Sequence, residues 1–310
     1  MFGNDQFIQT SPMLKSWIDA LPKAAWLLGL MVWTPVLFAG GPWTQPKGKG
    51  YFKLSEYWIV YDEHFNDAGV TEPNVTTGIF NTTLYAEYGI VDRWTATLNF
   101  PFLSRNYTNN VLSASTGEVL IPGEAINTIG DTDLGIKYGL NKPGSKYPMA
   151  LSLLLGLPFG NPETGILGNL QTGDGEFNQA LQFDIGRSFN VGKKSSGYAT
   201  AFAAFNHRTN GFSEEIRVGV ESGVAVLDRD LWFILRLANW ESLKNGQTAE
   251  TITSTSIFAN NQEFTSFTVE AAYYVKGGFG VSAAFGGALR AEIVAAAPSF
   301  NVGVFYDMNH

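Results

Sequence analysis

Residues 130–160, GDTDLGIKYGLNKPGSKYPMALSLLLGLPFG, alternate with a period of two rather than 3.6, which is the spacing of paired strands and not of a helix. From Leu134 the even positions are Leu134, Ile136, Tyr138 and Leu140, while the odd ones are Asp133, Gly135, Lys137 and Gly139. One face is therefore apolar and the other polar or bare. Asn141-Lys142-Pro143-Gly144 supplies the residues of a reverse turn. On the return, Met149, Leu151, Leu153, Leu155 and Leu157 make an apolar face opposite Ala150, Ser152, Leu154 and Gly156. An apolar face against lipid, backed by a polar face against a wet lumen, is the pattern of a transmembrane barrel. Energetics decide which face is which: Lys137 turned to lipid near the midplane would cost about 2–4 kcal/mol, and turned to water it costs little.

The same pattern recurs along the chain, giving about twelve strands of the roughly ten residues that a tilted membrane strand needs. The expected strands are Tyr51 to Tyr61, Thr77 to Tyr88, Trp94 to Phe102, the two arms of the hairpin above, Phe177 to Phe189 and Tyr198 to His207. Ile216 to Leu227, Leu231 to Trp240, Phe264 to Val275, Phe279 to Leu289 and Ser299 to Met308 follow. The fold expected is all-β, a transmembrane antiparallel β-barrel. Its inward face is expected to carry Asp133, Lys137, Asp184, Arg217, Glu221, Arg236 and Glu270 as lumen-lining residues, either facing a solute or holding the interior together by pairing. Two strands do not declare a face: Glu56 shares a side with Phe52, Leu54 and Trp58 in the first, and Tyr198 to His207 is ambiguous throughout.

Turns after even-numbered strands read as short. Those after odd-numbered strands read as long: Asp62 to Thr76, Ser104 to Ile129, Pro158 to Glu176, Asn245 to Gln262 and Arg290 to Pro298, with a brief one near Thr209 to Phe212. Short periplasmic turns and long external loops are what a bacterial outer-membrane barrel with both ends in the periplasm shows. Ahead of it, Lys15 and Lys23 precede the apolar run Ala24 to Phe38, interrupted by Pro35 and ending at Ala39-Gly40-Gly41. That run is too short for a spanning helix and reads as a secretory signal, with cleavage expected after Ala39. The chain thus divides into 1–39 extension and signal, 40–50 periplasmic or plug segment, and 51–310 barrel.

Composition narrows the functions. Of 310 residues, 15% are charged, 34 are Gly and none is Cys, which removes disulfides and thiolate metal sites. A net charge of -8 argues against nucleic acid as a partner. No metal-ligand spacing or nucleophile motif is present, so no cofactor and no catalytic residues are expected; His207 near Ser213 and Glu214 is the one local acid-base group, and His64 is placed in a loop. The expected partners are outer-membrane lipid and lipopolysaccharide, a small-molecule solute, and the barrel-assembly machinery through Asn301 to Met308 in the last strand. Trp240, Phe159 and Phe205 are candidates to guide an apolar solute, though aromatic girdles at the membrane interface account for most such rings. A small-solute channel is the leading function, with a non-conducting surface barrel as the alternative and an outer-membrane hydrolase a distant third.

Several phrases also carry a resemblance: Tyr88-Gly89-Ile90-Val91-Asp92-Arg93-Trp94 followed by Asn99-Phe100-Pro101-Phe102, then Ile129 to Tyr138, Leu157-Pro158-Phe159-Gly160 and Gln171-Thr172-Gly173-Asp174-Gly175. In that order they resemble the outer-membrane proteins of the phenol-degradation meta-pathway transporter family. The resemblance implies a barrel in the style of hydrophobic-compound channels. An Asn-Pro-Ala hatch like that of the fatty-acid channels is absent.

Overall fold

The computed structural model describes residues 40–310, apart from 167, 169, 193, 194 and 248–257. The expected signal segment therefore lies outside the described residues. Twelve long strands run antiparallel in chain order: β1 (Gly50–Phe65), β2 (Thr71–Val91), β3 (Trp94–Thr108), β4 (Thr132–Gly139), β5 (Met149–Leu157) and β6 (Asn178–Asn190). The other half is β7 (Ser196–His207), β8 (Glu215–Val226), β9 (Leu231–Ser242), β10 (Glu263–Lys276), β11 (Phe279–Glu292) and β12 (Ser299–Asp307). Each pairs with its neighbours in sequence, and β1 pairs with both β2 and β12, so the sheet closes and leaves no edge. The register of closure runs from Tyr51 opposite Asp307 to Ile59 opposite Ser299.

The pleat sorts the side chains as a lipid-water boundary requires. Leu153 is 43% exposed on the outer surface, while Lys137 is wholly buried on the inner one. Leu134, Leu151, Leu181, Phe183, Val218, Val220, Phe233, Leu235 and Val269 are exposed with Leu153. At the periplasmic rim Trp94 packs on Tyr138 and Phe279 on Tyr306, an aromatic girdle of outward rings. Glu56 stands in the outward row of β1 and accepts a 2.6 Å hydrogen bond from Thr82 on β2. In β7 the inward row is Tyr198, Phe202 and Asn206, and the outward row holds Phe205.

Two local devices shape the wall. Opposite Thr83 of β2 stand both Pro101 and Phe102 of β3, a bulge that takes the proline, which has no N–H to give the ladder. Gly223 and Gly219 of β8 make room for rings of β7: a Cβ on Gly223 would lie 2.3 Å from Tyr198, and one on Gly219 2.3 Å from Phe202.

The connections depart from the reading above at the extracellular end. Asp62 to Thr76 is not a long loop: β1 continues to Phe65 and β2 starts at Thr71, leaving Asn66 to Val70 as the turn. The Asn66 side chain accepts bonds from the N–H of Ala68 and Val70, which fixes that turn. His64 is consequently a buried strand residue opposite Glu72 and Ala295. Ser104 to Thr108 likewise stays in β3, where Thr128 to Glu124 pairs with it. Arg290 to Glu292 belongs to β11, and Val294–Ala295 pairs back onto His64 and Phe65. Beyond the bilayer, water wets both faces of a hairpin and no alternation is imposed, so paired strand there reads as loop.

Candidate functional site

The barrel encloses a cavity of 880 Å³. Its extracellular part is bordered on one side by a buried apolar cluster of Tyr57, Ile59, Tyr61, Ile79, Phe264, Ala288 and Ala291, joined by Val294, Ala295 and Ala297, of which Tyr57 and Phe264 line the cavity. The rest of the wall mixes rings and charges: Trp43, Tyr51, Tyr85, Tyr198, Trp232 and Trp240 line it, and so do Asp133, Arg217, Glu221, Arg236 and Glu270. Lys137 and Asp184 are buried on the same inner face. Of the aromatics singled out from sequence, Trp240 lines the cavity, whereas Phe205 is outward and Phe159 is an exposed loop residue.

Apart from Asp133, which accepts a hydrogen bond from Asn99, these charges and their partners fall into three groups. In the body of the barrel, Glu221 of β8 is directly opposite Arg236 of β9 in register. Arg236 donates to Glu221 through Nε and to Glu270 through Nη1 at 2.6 Å, and Lys53 of β1 donates to the other Glu270 oxygen at 2.7 Å. Tyr198 adds a 2.6 Å bond to Glu221. Two cations meet two carboxylates, so the network is neutral and each carboxylate oxygen has a donor.

Towards the periplasmic end, Lys137 Nζ lies 3.5 Å from Glu87, and Asp184 lies within electrostatic reach of both. Glu87 also accepts hydrogen bonds from Tyr85 at 2.6 Å and from Gln45 at 2.9 Å. Gln45 belongs to the segment from Gly40 to Lys49, which reaches into this mouth. There Trp43 meets Tyr198 edge to face at 5.6 Å, the Gln45 N–H donates to Thr95, and Lys49 donates to the Met308 carbonyl.

The third group sits at the extracellular mouth and is mostly carried by loops. Arg208 donates to Glu176 through Nε and to Glu215 at 2.7 Å, and pairs with Asp174 at 3.4 Å. Arg217 completes Glu215 at 2.6 Å and lies over the Trp240 ring. Asp131, between the two β3-paired segments, accepts the N–H of Gly160 and of Asp174, tying the loop after β5 to the base of β4. Burial, with the Asp174 charge beside it, pushes the Asp131 carboxyl up to about 7. Burial and Asp174 likewise push Glu176 up to about 8 against the pull of Arg208.

Lys53 and Glu87 were not among the expected lumen-lining residues, although both alternate with outward residues of their strands. Asp131, Asp174, Glu176 and Arg208 lie in connections, which have no period to reveal them. His207 bonds Glu214 at 2.9 Å, but the Ser213 hydroxyl donates to Asn261 at 2.6 Å, so no Ser-His pair forms.

No family model matches the chain, and no curated protein matches it. Among solved structures, the COG4313 outer membrane channel from Pseudomonas putida F1 is similar at 15% identity with a TM-score of 0.56, over 87% of this chain and 99% of that one. The KdgM porin in complex with disordered oligogalacturonate (10% identity, TM-score 0.43) and the NanC porin (10%, 0.45) each align with 83% of this chain, and with 98% and 99% of their own. The likeness to the first is one of fold: a closed outer-membrane barrel of twelve strands.

Proposed function

We propose that the protein is a bacterial outer-membrane channel for small solutes, with uncharged aromatic molecules as the class that suits it best. The observation that carries this reading is the lumen itself: a cavity of 880 Å³ in which aromatic rings alternate with paired charges. Twelve strands make a bore between the filled eight-stranded barrel and the aqueous sixteen-stranded porin. A small planar solute can stack on Trp232, Trp240 or Tyr198 while its polar group meets the ionic network. The body network is neutral, and at the extracellular mouth Asp131, Asp174, Glu176 and Glu215 outnumber Arg208 and Arg217, so a free anion is disfavoured there. Asp133, Lys137, Asp184, Arg217, Glu221, Arg236 and Glu270 are then the residues that keep the path polar. Segment 40–50 is its plug, and Asn301 to Met308 the strand read by the assembly machinery.

Proteoliposomes containing the purified barrel test this. Uptake of a phenol-sized neutral aromatic should exceed that of the matching carboxylate by about tenfold, as expected if the acidic extracellular mouth costs an anion about 1.4 kcal/mol. A barrel shown to be folded that passes neither solute, and conducts no ions in planar bilayers, overturns the channel reading in favour of a non-conducting surface barrel.

A further inference from the structure

The periplasmic cluster is short of one positive charge. Among the described residues Glu87 and Asp184 face a single ammonium, that of Lys137, whose Nζ has no hydrogen-bond partner there; its 3.5 Å contact with Glu87 is its ion pair. All three side chains are buried. An unbalanced buried carboxylate is costly, and the body network shows the balance this interior otherwise keeps. Besides the Gln45 side chain, the backbone of Gly40 comes up against Glu87. The Gly40 nitrogen donates to the Tyr85 hydroxyl at 3.2 Å, and Tyr85 itself donates to Glu87 at 2.6 Å. A Cβ built on Gly40 would lie 2.5 Å from a Glu87 carboxylate oxygen.

We propose that removal of the signal peptide after Ala39 supplies the missing charge, because the new α-ammonium of Gly40 docks against Glu87 and latches residues 40–49 inside the periplasmic mouth. In the precursor this atom is an amide nitrogen with no charge. Signal peptidase hydrolyses the Ala39–Gly40 bond: water gives its hydroxyl to the Ala39 carbonyl carbon and a proton to the Gly40 nitrogen, which takes a further proton from solvent at neutral pH. The ammonium then has three hydrogens for Tyr85 and the Glu87 carboxylate. With Lys137 it brings the cluster to two cations and two anions. Glycine at this position also becomes intelligible, since the carboxylate occupies the space of a side chain. The rest of the segment is held independently: Pro42 packs on Gly186, Gln45 bonds Glu87 and Thr95, the Gly48 N–H donates to the Gly89 carbonyl, and the Gly89 N–H donates to the Lys49 carbonyl. The latch requires cleavage at this bond and does not depend on what the barrel conducts.

The test is read on the N-terminal amine, so that failure of transport and failure of the latch are separate results. Barrel purified from outer membranes is labelled at pH 8 with an amine-acetylating reagent, and the N-terminal peptide is quantified by mass spectrometry in the folded and the urea-unfolded protein. The expected result is an N-terminus beginning Gly40-Gly41-Pro42 whose amine reacts at least about tenfold more slowly when folded. Glu87→Gln, which keeps the volume and removes the charge, should recover most of that factor, and Gly40→Ala, outside the barrel wall, should do the same. Because the chain has no Cys of its own, a Pro42→Cys/Gly186→Cys pair should form a disulfide on oxidation and report the seated segment separately. An N-terminus other than Gly40, equal labelling in the two states, a labelling rate unmoved by both single variants, or no disulfide would each overturn the proposal.

Discussion

In the body of the barrel Lys53 and Arg236 meet Glu221 and Glu270 charge for charge, whereas at the extracellular mouth Arg208 and Arg217 face Asp174, Glu176 and Glu215, with Asp131 close by. The first network is carried on four strands whose positions the ladder fixes. The second hangs largely on the connections after β5 and β7. The strand network satisfies its carboxylates with cations, and the loop network satisfies part of its excess with protons, which is the meaning of carboxyls held up to about 7 and about 8. A network neutralised by protons can change state with pH, while one neutralised by arginine does not, because guanidinium keeps its charge.

The largest effect should come from breaking the balanced network. Arg236→Met leaves Glu221 and Glu270 with one lysine between them in a narrow lumen, and should cost about 3 kcal/mol or more in urea unfolding from lipid bilayers. A loss under about 1 kcal/mol would mean that lumen water screens the pair as it does at a surface. Arg208→Met should cost less, about 2 kcal/mol at neutral pH, since Glu176 already favours its protonated form and Arg217 still holds Glu215. If the two substitutions cost the same, the distinction between the networks fails.

The contrast also explains what could be read beforehand. Lipid imposes an apolar residue on every second position for about ten residues, so Leu151-Ser152-Leu153 or Val218-Gly219-Val220 declares its faces without help. The strand number and the inward side of Arg217, Glu221 and Arg236 follow from the same constraint. Lys53 was obscured by Glu56, a carboxylate in the outward row whose place is explained by Thr82, a partner on another strand. Outside the bilayer the constraint ends: past an irregularity at Asp62, β1 from Glu63 to Phe65 pairs with β2 while looking like loop. Arg208 and Glu176 are brought together across 32 residues by the folding of two connections, and no periodicity within either could announce it.

The smallest expected effect is the most discriminating. Asp131 titrates near 4 in an unfolded chain and at about 7 when folded, so between those values the folded protein holds the proton that the unfolded one has released. Its contribution is fully present below pH 4 and is lost as pH rises to about 7, because ionised Asp131 is partly desolvated and sits beside the Asp174 charge. Because Asp131 ties down Gly160 and Asp174, the consequence should be local, a loosening of residues 158–177 with the barrel intact. Amide exchange of that segment, corrected for the intrinsic pH dependence of exchange, should speed up by about tenfold between pH 5 and pH 8. Asp131→Asn should flatten the change up to pH 7 and leave a weaker rise above it from Glu176, whose carboxyl is held up to about 8. Exchange across the Glu221, Arg236 and Glu270 ladder should not respond over this range. Loosening in both regions together would show that the loop protons are coupled to the barrel wall, and would remove the separation between a network set by arginine and one set by protons.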